Sequence, residues 1–459
     1  MRIRIQSLLA ILLVSHVLLA EERPRPEKPN ILLIVADDLG WRDVGWHGGI
    51  YQTPVMDQLV REGVELDRHY VQPVCTPTRA ALLSGQWTSR FGPHALSPSN
   101  RRVYPAGTTT LASALKEAGY TTHLAGKWHL GSKAEWGPNH YGFDHSYGSL
   151  TGAIDPWTHL YRPGSYLKTW HRDGIFFEES GNATELVAKQ VNNWIRSAKS
   201  PWLIYVPFHA VHLPVDAPEE YKKLYETTDF QETPERAEAM RRMGAFISQL
   251  DAKVGEFVTS LEETHQRSRT LIVFTSDNGG LSQGKNPYVG SVPDSPVLSS
   301  NLPLKGFKNQ LYEGGIRVSA FANWPGVLTP RKVEETFHAV DWMPTLTQLA
   351  GWTMPAGHVF DGQNLWPILT GAVPALPMRA IYIPHPAGWV VIQDGWKLIT
   401  YRSLKQRAPE LYHIAKDPTE TTDLAKREAE KLEELQAVLQ AMQRADVTVL
   451  PKDLVNERN

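Results

Sequence analysis

Three short stretches of this chain carry residue types that can do chemistry together. Cys75, the only cysteine, opens the run Cys75-Thr76-Pro77-Thr78-Arg79-Ala80-Ala81-Leu82-Leu83-Ser84-Gly85. Pro77 suits the first turn of a helix, and the apolar continuation to Leu83 suits its body. Cys75 then falls near the helix N-terminus, where free N–H groups and the helix dipole favour an anion. Arg79 follows one turn on and can point back to the same spot. The physics describes a reactive group at an anion site. The alternative is an inert, buried small hydrophobe.

The other two stretches are Asp37-Asp38 and Asp277-Asn278-Gly279-Gly280, each directly after an apolar run. Ligands in open α/β sheets collect at the carboxyl ends of strands, so both pairs can face one crevice. Three carboxylates and an amide oxygen form a hard donor set suited to Ca²⁺ or Mg²⁺. Taken singly, each pair is equally readable as turn and helix-cap chemistry.

The elements that must position these groups are legible from periodicity. Residues 30–36, 201–206 and 270–275 are continuous apolar runs, the pattern of strands buried on both faces of a sheet. Between them lie helical stretches at 110–118, 184–197 and 234–261. The last sets Met240, Met243, Ile247, Leu250, Val254 and Phe257 at three- and four-residue steps on one face. The alternation predicts an α/β fold around a large, mainly parallel sheet sandwiched by helices. After residue 350 the texture changes to short strands at 380–384, 389–392, 396–401 and 410–413. A charged helix from 422 to about 444 follows, so a smaller antiparallel sheet with a terminal helix is expected. The expected division is 29–350 for a large α/β domain and 351–459 for a smaller α+β unit. Residues 284–301, rich in Ser, Pro and Gly, read as a long loop of the functional kind.

Composition narrows the class. The 459 residues are 42% hydrophobic and 21% charged, which excludes wholesale disorder. Basic and acidic residues number 47 and 49, a net charge of −2, which argues against nucleic-acid binding through bulk charge. A single cysteine excludes an intramolecular disulfide and a cysteine-based metal cluster. Arg2 and Arg4 precede an apolar stretch at 8–19, and Ala20 precedes Glu21-Glu22-Arg23-Pro24. This reads as a signal peptide at 1–20 and a linker at 21–28. An uncleaved anchor is the alternative, but about a dozen apolar residues are short for a membrane span. The expectation is an exported chain, periplasmic or secreted, without a stable membrane anchor.

Cys-x-Pro-x-Arg followed by Ala-Ala-Leu-Leu-Ser-Gly resembles the signature of the type I sulfatases, in which the cysteine is oxidised to Cα-formylglycine. The resemblance extends through Gly126-Lys127-Trp128-His129-Leu130-Gly131, Gly142-Phe143-Asp144, Tyr312-Glu313-Gly314-Gly315-Ile316-Arg317 and Asp341-Trp342-Met343-Pro344. Within the family it looks closest to the arylsulfatase B type, the N-acetylgalactosamine-4-sulfatases. The segments that carry this are Gln72-Pro73-Val74-Cys75 and Val211-His212-Leu213-Pro214. One departure is Ser84-Gly85-Gln86, where the family commonly has Thr-Gly-Arg.

The resemblance implies an alkaline-phosphatase-like fold and a calcium-dependent sulfuric ester hydrolase. Its formylglycine would be hydrated to a gem-diol, one hydroxyl attacking sulfur and the other allowing collapse to the aldehyde with loss of sulfate. Asp37, Asp38, Asp277, Asn278 and the modified residue 75 would bind Ca²⁺, with Mg²⁺ less suited. Arg79, Lys127 and Lys308 would neutralise the sulfate, Lys305 being the competitor of Lys308. His129 would act as base and His212 as acid, His209 being the competitor of His212. Read singly, these lysines would be solvated surface charges and His129 a satisfied polar residue. The run from Asp155 through Trp157 to His159 reads as lining the substrate entrance, and His385 as bringing the second unit to the cleft. Asn182-Ala183-Thr184 fits a glycosylation sequon and equally a helix cap. The implied substrate is a sulfated carbohydrate, a galactosamine or galactose 4-sulfate unit, and the implied partner a formylglycine-generating enzyme. The competing readings are a formylglycine-dependent phosphonate monoester or phosphodiester hydrolase, and a non-catalytic binder of sulfated glycans.

Overall fold

A computed structural model describes residues 28–199, 201–403 and 407–455. The signal peptide expected at 1–20 and nearly all of the linker lie outside the described residues.

The first apolar run forms strand β1 (Asn30–Ala36), and every one of its residues is buried. Its side chains alternate between two cores. Ile31, Leu33 and Val35 join one apolar cluster, while Leu32, Ile34 and Ala36 join the other. That two-sided burial is why the run is apolar throughout. Next in chain order come β2 (Val64–Tyr70), β3 (Thr121–Lys127), β4 (His145–Ser149), β5 (Trp170–Arg172), β6 (Ile175–Phe176), β7 (Trp202–Pro207), β8 (Thr270–Ser276), β9 (Arg317–Val318), β10 (Ala320–Asn323) and β11 (Arg331–His338). They make one sheet of order β11-β2-β10-β8-β1-β7-β3-β4-β5-β6, with β9 on β2. The central block β8-β1-β7-β3-β4 is parallel. Antiparallel pairs occur only at its flanks.

Helices cover both faces, as the alternation of strands and helices predicts. Pro234–Glu263 and Ala183–Ser197 pack on one face. Cys75–Ser84, Leu111–Glu117 and Trp342–Leu349 pack on the other. Asn182 is the cap of its helix, its Oδ1 accepting from the Thr184 N–H at 3.0 Å. With 3% of its surface exposed, it serves the cap rather than a glycan.

The second sheet is antiparallel: β12 (Ile381–His385), β13 (Gly388–Gln393), β14 (Trp396–Tyr401) and β15 (Glu410–Tyr412), in that order. Its core includes Tyr70, Ala81, Trp87 and Ile316 of the first unit, so it rests on the helix that begins at Cys75. Residues 352–376 pack instead against the core of the large sheet, through Trp352, Phe360, Leu365 and Leu369. The terminal helix spans Ala429–Gln443, starting seven residues later than expected. The delay has a cause: the Leu424 N–H donates to the Leu411 carbonyl at 2.8 Å. Asp423 also accepts from Leu411 N–H at 3.0 Å. This stretch is therefore laid along β15 before the helix can begin.

Candidate active site

β1 and β8 are parallel neighbours in register, with Ala36 opposite Ser276. Asp37 and Asp277 therefore leave the sheet side by side, and the Asp277 N–H donates to the Ala36 carbonyl at 3.0 Å. Asp38 takes a left-handed conformation, φ 61°, that few side chains adopt. Its N–H donates to Asp277 Oδ1 at 3.3 Å, and Asn278 Nδ2 donates to Asp38 Oδ1 at 2.7 Å. The two predicted pairs thus form one cluster.

β3 delivers Lys127 from two strands away, and its Nζ donates to Asp37 Oδ2 at 2.6 Å. Gly126 lets the strand come this close, since a Cβ there would lie 2.0 Å from the Pro207 carbonyl oxygen. His129 follows in a left-handed conformation, φ 57°. Its ring is packed so closely on Gly152 that a Cβ on Gly152 would lie 2.3 Å from it.

The predicted helix begins at Cys75 itself, and all ten of its residues are buried. Arg79, one turn along, donates Nε and Nη2 to Asp277 Oδ2 at 3.0 and 2.7 Å. Its Nη1 donates to the Lys127 carbonyl at 3.2 Å. Lys308 arrives from the loop before Glu313–Ile316, with Nζ 2.6 Å from Asp38 Oδ1. Lys305, its competitor, donates instead to Tyr412 Oη at 3.3 Å in the second sheet. His212 Nε2 lies 3.7 Å from Asp38 Oδ2, while Nδ1–H donates to the Leu213 carbonyl at 2.6 Å. His209 pairs with Ser149 Oγ at 2.7 Å instead.

A cavity of about 330 Å³ opens onto this cluster, lined by Cys75, His129, His212 and Lys308. Arg79 and Lys127 do not line it; fully buried, they stand behind it as partners of Asp277 and Asp37. Burial, with Asp277 beside it, pushes the Asp37 carboxyl up to about 7 against the pull of Lys127. Burial would also raise Asp38, but Lys308 and His212 hold its carboxyl below the ordinary carboxylate range. Burial and then Lys308 bring His212 down to about 3. Burial and the cations Lys127, Arg79 and Lys308 keep His129 neutral. Burial raises the Cys75 thiol although Lys127 and Lys308 favour its anion.

Two oxygens in the acidic cluster, Asp37 Oδ1 and Asn278 Oδ1, are buried and have no hydrogen-bond partner. Buried acceptors are rarely left so. Orphaned oxygens within a cluster of three carboxylates and an amide fit a hard, oxygen-preferring divalent cation.

The expected substrate residues lie elsewhere. Asp155 is fully buried, its Oδ1 accepting from the N–H groups of Trp157 and Thr158 at 3.0 and 2.9 Å in a turn. Trp157 Nε1 donates to Asp216 Oδ2 at 2.8 Å. His159 stacks on Trp170 with ring centroids 4.4 Å apart and bonds the Gly181 carbonyl. None of the three lines the cavity. Tyr161 and Arg162, just beyond them, do, with Tyr288, Ser99 and Asn100. Sequence reasoning missed these five; only the length of the 284–301 loop pointed towards one of them, Tyr288. His385 stops short of the cavity, its Nε2–H donating to Asn309 Oδ1 at 3.1 Å beside Lys308. Gln86 donates to the Val359 carbonyl at 2.8 Å, away from the site.

Sheet order, flanking helices and a cysteine at a helix N-terminus over strand-end carboxylates define the alkaline-phosphatase-like α/β class. Within it, the chain belongs to the sulfatase family, whose model matches residues 29–352. Arylsulfatase J of Mus musculus is 33% identical over 362 residues, covering 75% of this chain but only 57% of that relative's length. The N-acetylgalactosamine-6-sulfatase of Homo sapiens is 28% identical over 476 residues, covering 93% of this chain and 87% of the relative. The crystal structure of Ps i-CgsB in complex with k-i-k-neocarrahexaose is 26% identical with a TM-score of 0.79. It covers 93% of this chain and 94% of that one.

Proposed function

We propose that this protein hydrolyses a sulfate ester of a sulfated carbohydrate, using residue 75 as nucleophile after oxidation of Cys75 to formylglycine. One observation carries the reading. Cys75 at its helix N-terminus shares a single cavity with His129, His212 and Lys308, over the Asp37, Asp38, Asp277 and Asn278 cluster. Asp37, Asp38, Asp277 and Asn278, with the oxygen of the converted residue 75, would hold Ca²⁺ rather than Mg²⁺, and the ion when bound supplies Lewis acidity.

The chain's own residues divide the remaining work. Lys308 faces the cavity and binds sulfate oxygens, while Lys127 and Arg79 behind it offset the charge that builds in the transition state. His129 is neutral, and its Nδ1 has no partner, so it can take a proton from a residue-75 hydroxyl. His212 is oriented by its Nδ1–H bond, which leaves Nε2 to carry the proton to the leaving oxygen. A bound sulfate beside it favours the imidazolium, offsetting Lys308.

The proposed substrate is a galactosamine or galactose 4-sulfate unit. The curated relatives include N-acetylgalactosamine-6-sulfatases, so position 6 is the alternative that a test must separate. Export through the segment at 1–20 and maturation by a formylglycine-generating enzyme are part of the proposal. No helix among the described residues is long and apolar enough to cross a membrane.

The test is sulfate release by protein made with a formylglycine-generating partner, its conversion checked from the mass of the peptide bearing residue 75. Release from 4-sulfated galactosamine, absent in Cys75→Ala, supports the whole reading. Release only from the 6-sulfated sugar moves the position. Turnover of phosphonate esters alone, at full conversion, rejects sulfate as the substrate.

A further inference from the structure

Three of the four cations at this site are answered by carboxylates. Arg79 meets Asp277, Lys127 meets Asp37 and Lys308 meets Asp38. The fourth, Arg162, lines the same cavity as Cys75 and Lys308 and is held by aromatic rings instead. Its guanidinium carbon lies 5.5 Å from the ring centroid of Tyr161 and 5.3 Å from that of Tyr288. Its Nη2 donates to Tyr288 Oη at 3.5 Å. Among the described residues no carboxylate comes within ion-pair distance of it.

The bracket that holds it is built. The Val289 N–H donates to the Tyr161 carbonyl at 3.1 Å, and Thr158 Oγ1 donates to the Val289 carbonyl at 2.5 Å, so the two rim loops are tied together. Tyr288 also meets the ring of His212 edge-on, centroids 6.2 Å apart. An aromatic bracket fixes a guanidinium in place without neutralising it, and leaves planar donors free for a two-oxygen anion. Lys308 is already committed to the reacting sulfate in the proposed reaction, on which this inference rests.

We infer that Arg162 is a specificity-determining residue that binds a second anionic group of the substrate. That group is a carboxylate or a second sulfate ester, carried near the ester that residue 75 attacks. The preferred substrate is then a doubly charged glycan unit rather than a lone sulfated sugar.

Binding and turnover test this separately. Binding is measured by calorimetry on Cys75→Ala protein, with and without Arg162→Gln. The saccharides are a monosulfated neutral disaccharide, a monosulfated disaccharide bearing a uronic carboxylate, and a disulfated disaccharide. Arg162→Gln is expected to weaken one or both doubly anionic ligands by about 10–100-fold relative to the monosulfated one, the worth of a charge-assisted hydrogen bond. The arm that loses affinity says whether carboxylate or sulfate is the recognised group. Arg162→Lys should keep part of the preference, since charge remains but the planar fork is lost. In converted protein the same loss should fall on KM and not on kcat. Equal weakening of all three ligands, or of none, overturns the inference. Preserved Arg162-dependent binding without sulfate release by converted protein would sink the proposed reaction and leave the inference standing.

Discussion

The site has a floor and a rim, and they are built on opposite terms. The floor is the sheet end: Asp37, Asp277, Arg79 and Lys127, each fully buried and each locked to a partner of opposite charge. The rim is loop: Tyr161 and Tyr288 half-buried and Arg162 exposed, a cation lying against two rings. A buried charge must be paired to be tolerated, so the floor has little freedom to vary. A rim charge carries no such penalty and can be matched to whatever the substrate presents. In the proposed reaction the chemistry therefore belongs to the floor and the helix above it, and in the inference drawn from Arg162 selectivity belongs to the rim.

Replacing Cys75 by Ala is the strongest test of that division. It removes the proposed nucleophile and should lower sulfate release by about 10³-fold or more on every sulfated substrate alike. Selective loss on one sugar would mean that residue 75 serves recognition. Next comes Lys127→Met. It strips Asp37 of its 2.6 Å partner at full burial, and breaking such a pair costs about 3–5 kcal/mol. Urea denaturation with added chelator should show a loss of that order. A change well under 1 kcal/mol would mean that Asp37 is protonated in the free protein and the floor is not locked by charge.

His385 lies between the two regions, where the second sheet touches the loop of Lys308. Its Nε2–H donates to Asn309 at 3.1 Å, and its Nδ1 accepts from the Ala387 N–H at 3.2 Å. The Ala387 bond requires the neutral ring, since protonation would take the accepting Nδ1 lone pair, and burial, with Arg402 nearby, lowers its pKa to about 4. The unfolded chain, at about 6.5, binds the proton first. Its contribution to stability is therefore present above about pH 6.5 and is lost as pH falls towards 4, on the order of 1–3 kcal/mol. His385→Gln should flatten that part of the stability–pH curve. An unchanged slope would show that the contact between the second sheet and the Lys308 loop is insensitive to this ring.

Much of the floor could be read in the sequence because strand ends announce themselves. Apolar runs at 30–36 and 270–275 put the residues immediately after them at the carboxyl edge, and parallel register then brings Asp37 beside Asp277. The helix over them was legible from Pro77 and the apolar run to Leu83. The rim was not. Tyr161 and Tyr288 meet only because two distant loops are tied at Val289, and no periodicity records such a tie. The late start of the terminal helix has the same origin, a tertiary hydrogen bond at Leu411 overriding local helix propensity.

Trp157 is the sharpest small test of where the rim begins. Its ring invites a sugar-stacking role, yet its Nε1–H is spent on Asp216, which Lys222 also holds at 2.8 Å. Trp157→Phe keeps the aromatic body and deletes one hydrogen bond to a carboxylate that retains another partner. The expected cost is about 1 kcal/mol of stability in thermal or urea unfolding. Because Trp157 does not line the cavity, kcat/KM on the doubly anionic disaccharides should stay within about twofold. A tenfold fall in KM-dependent selectivity with unchanged stability would extend the rim inward to the 155–159 turn and redraw the floor–rim boundary there. An equal, modest loss in stability alone keeps that turn as the scaffold that aims Tyr161 and Arg162.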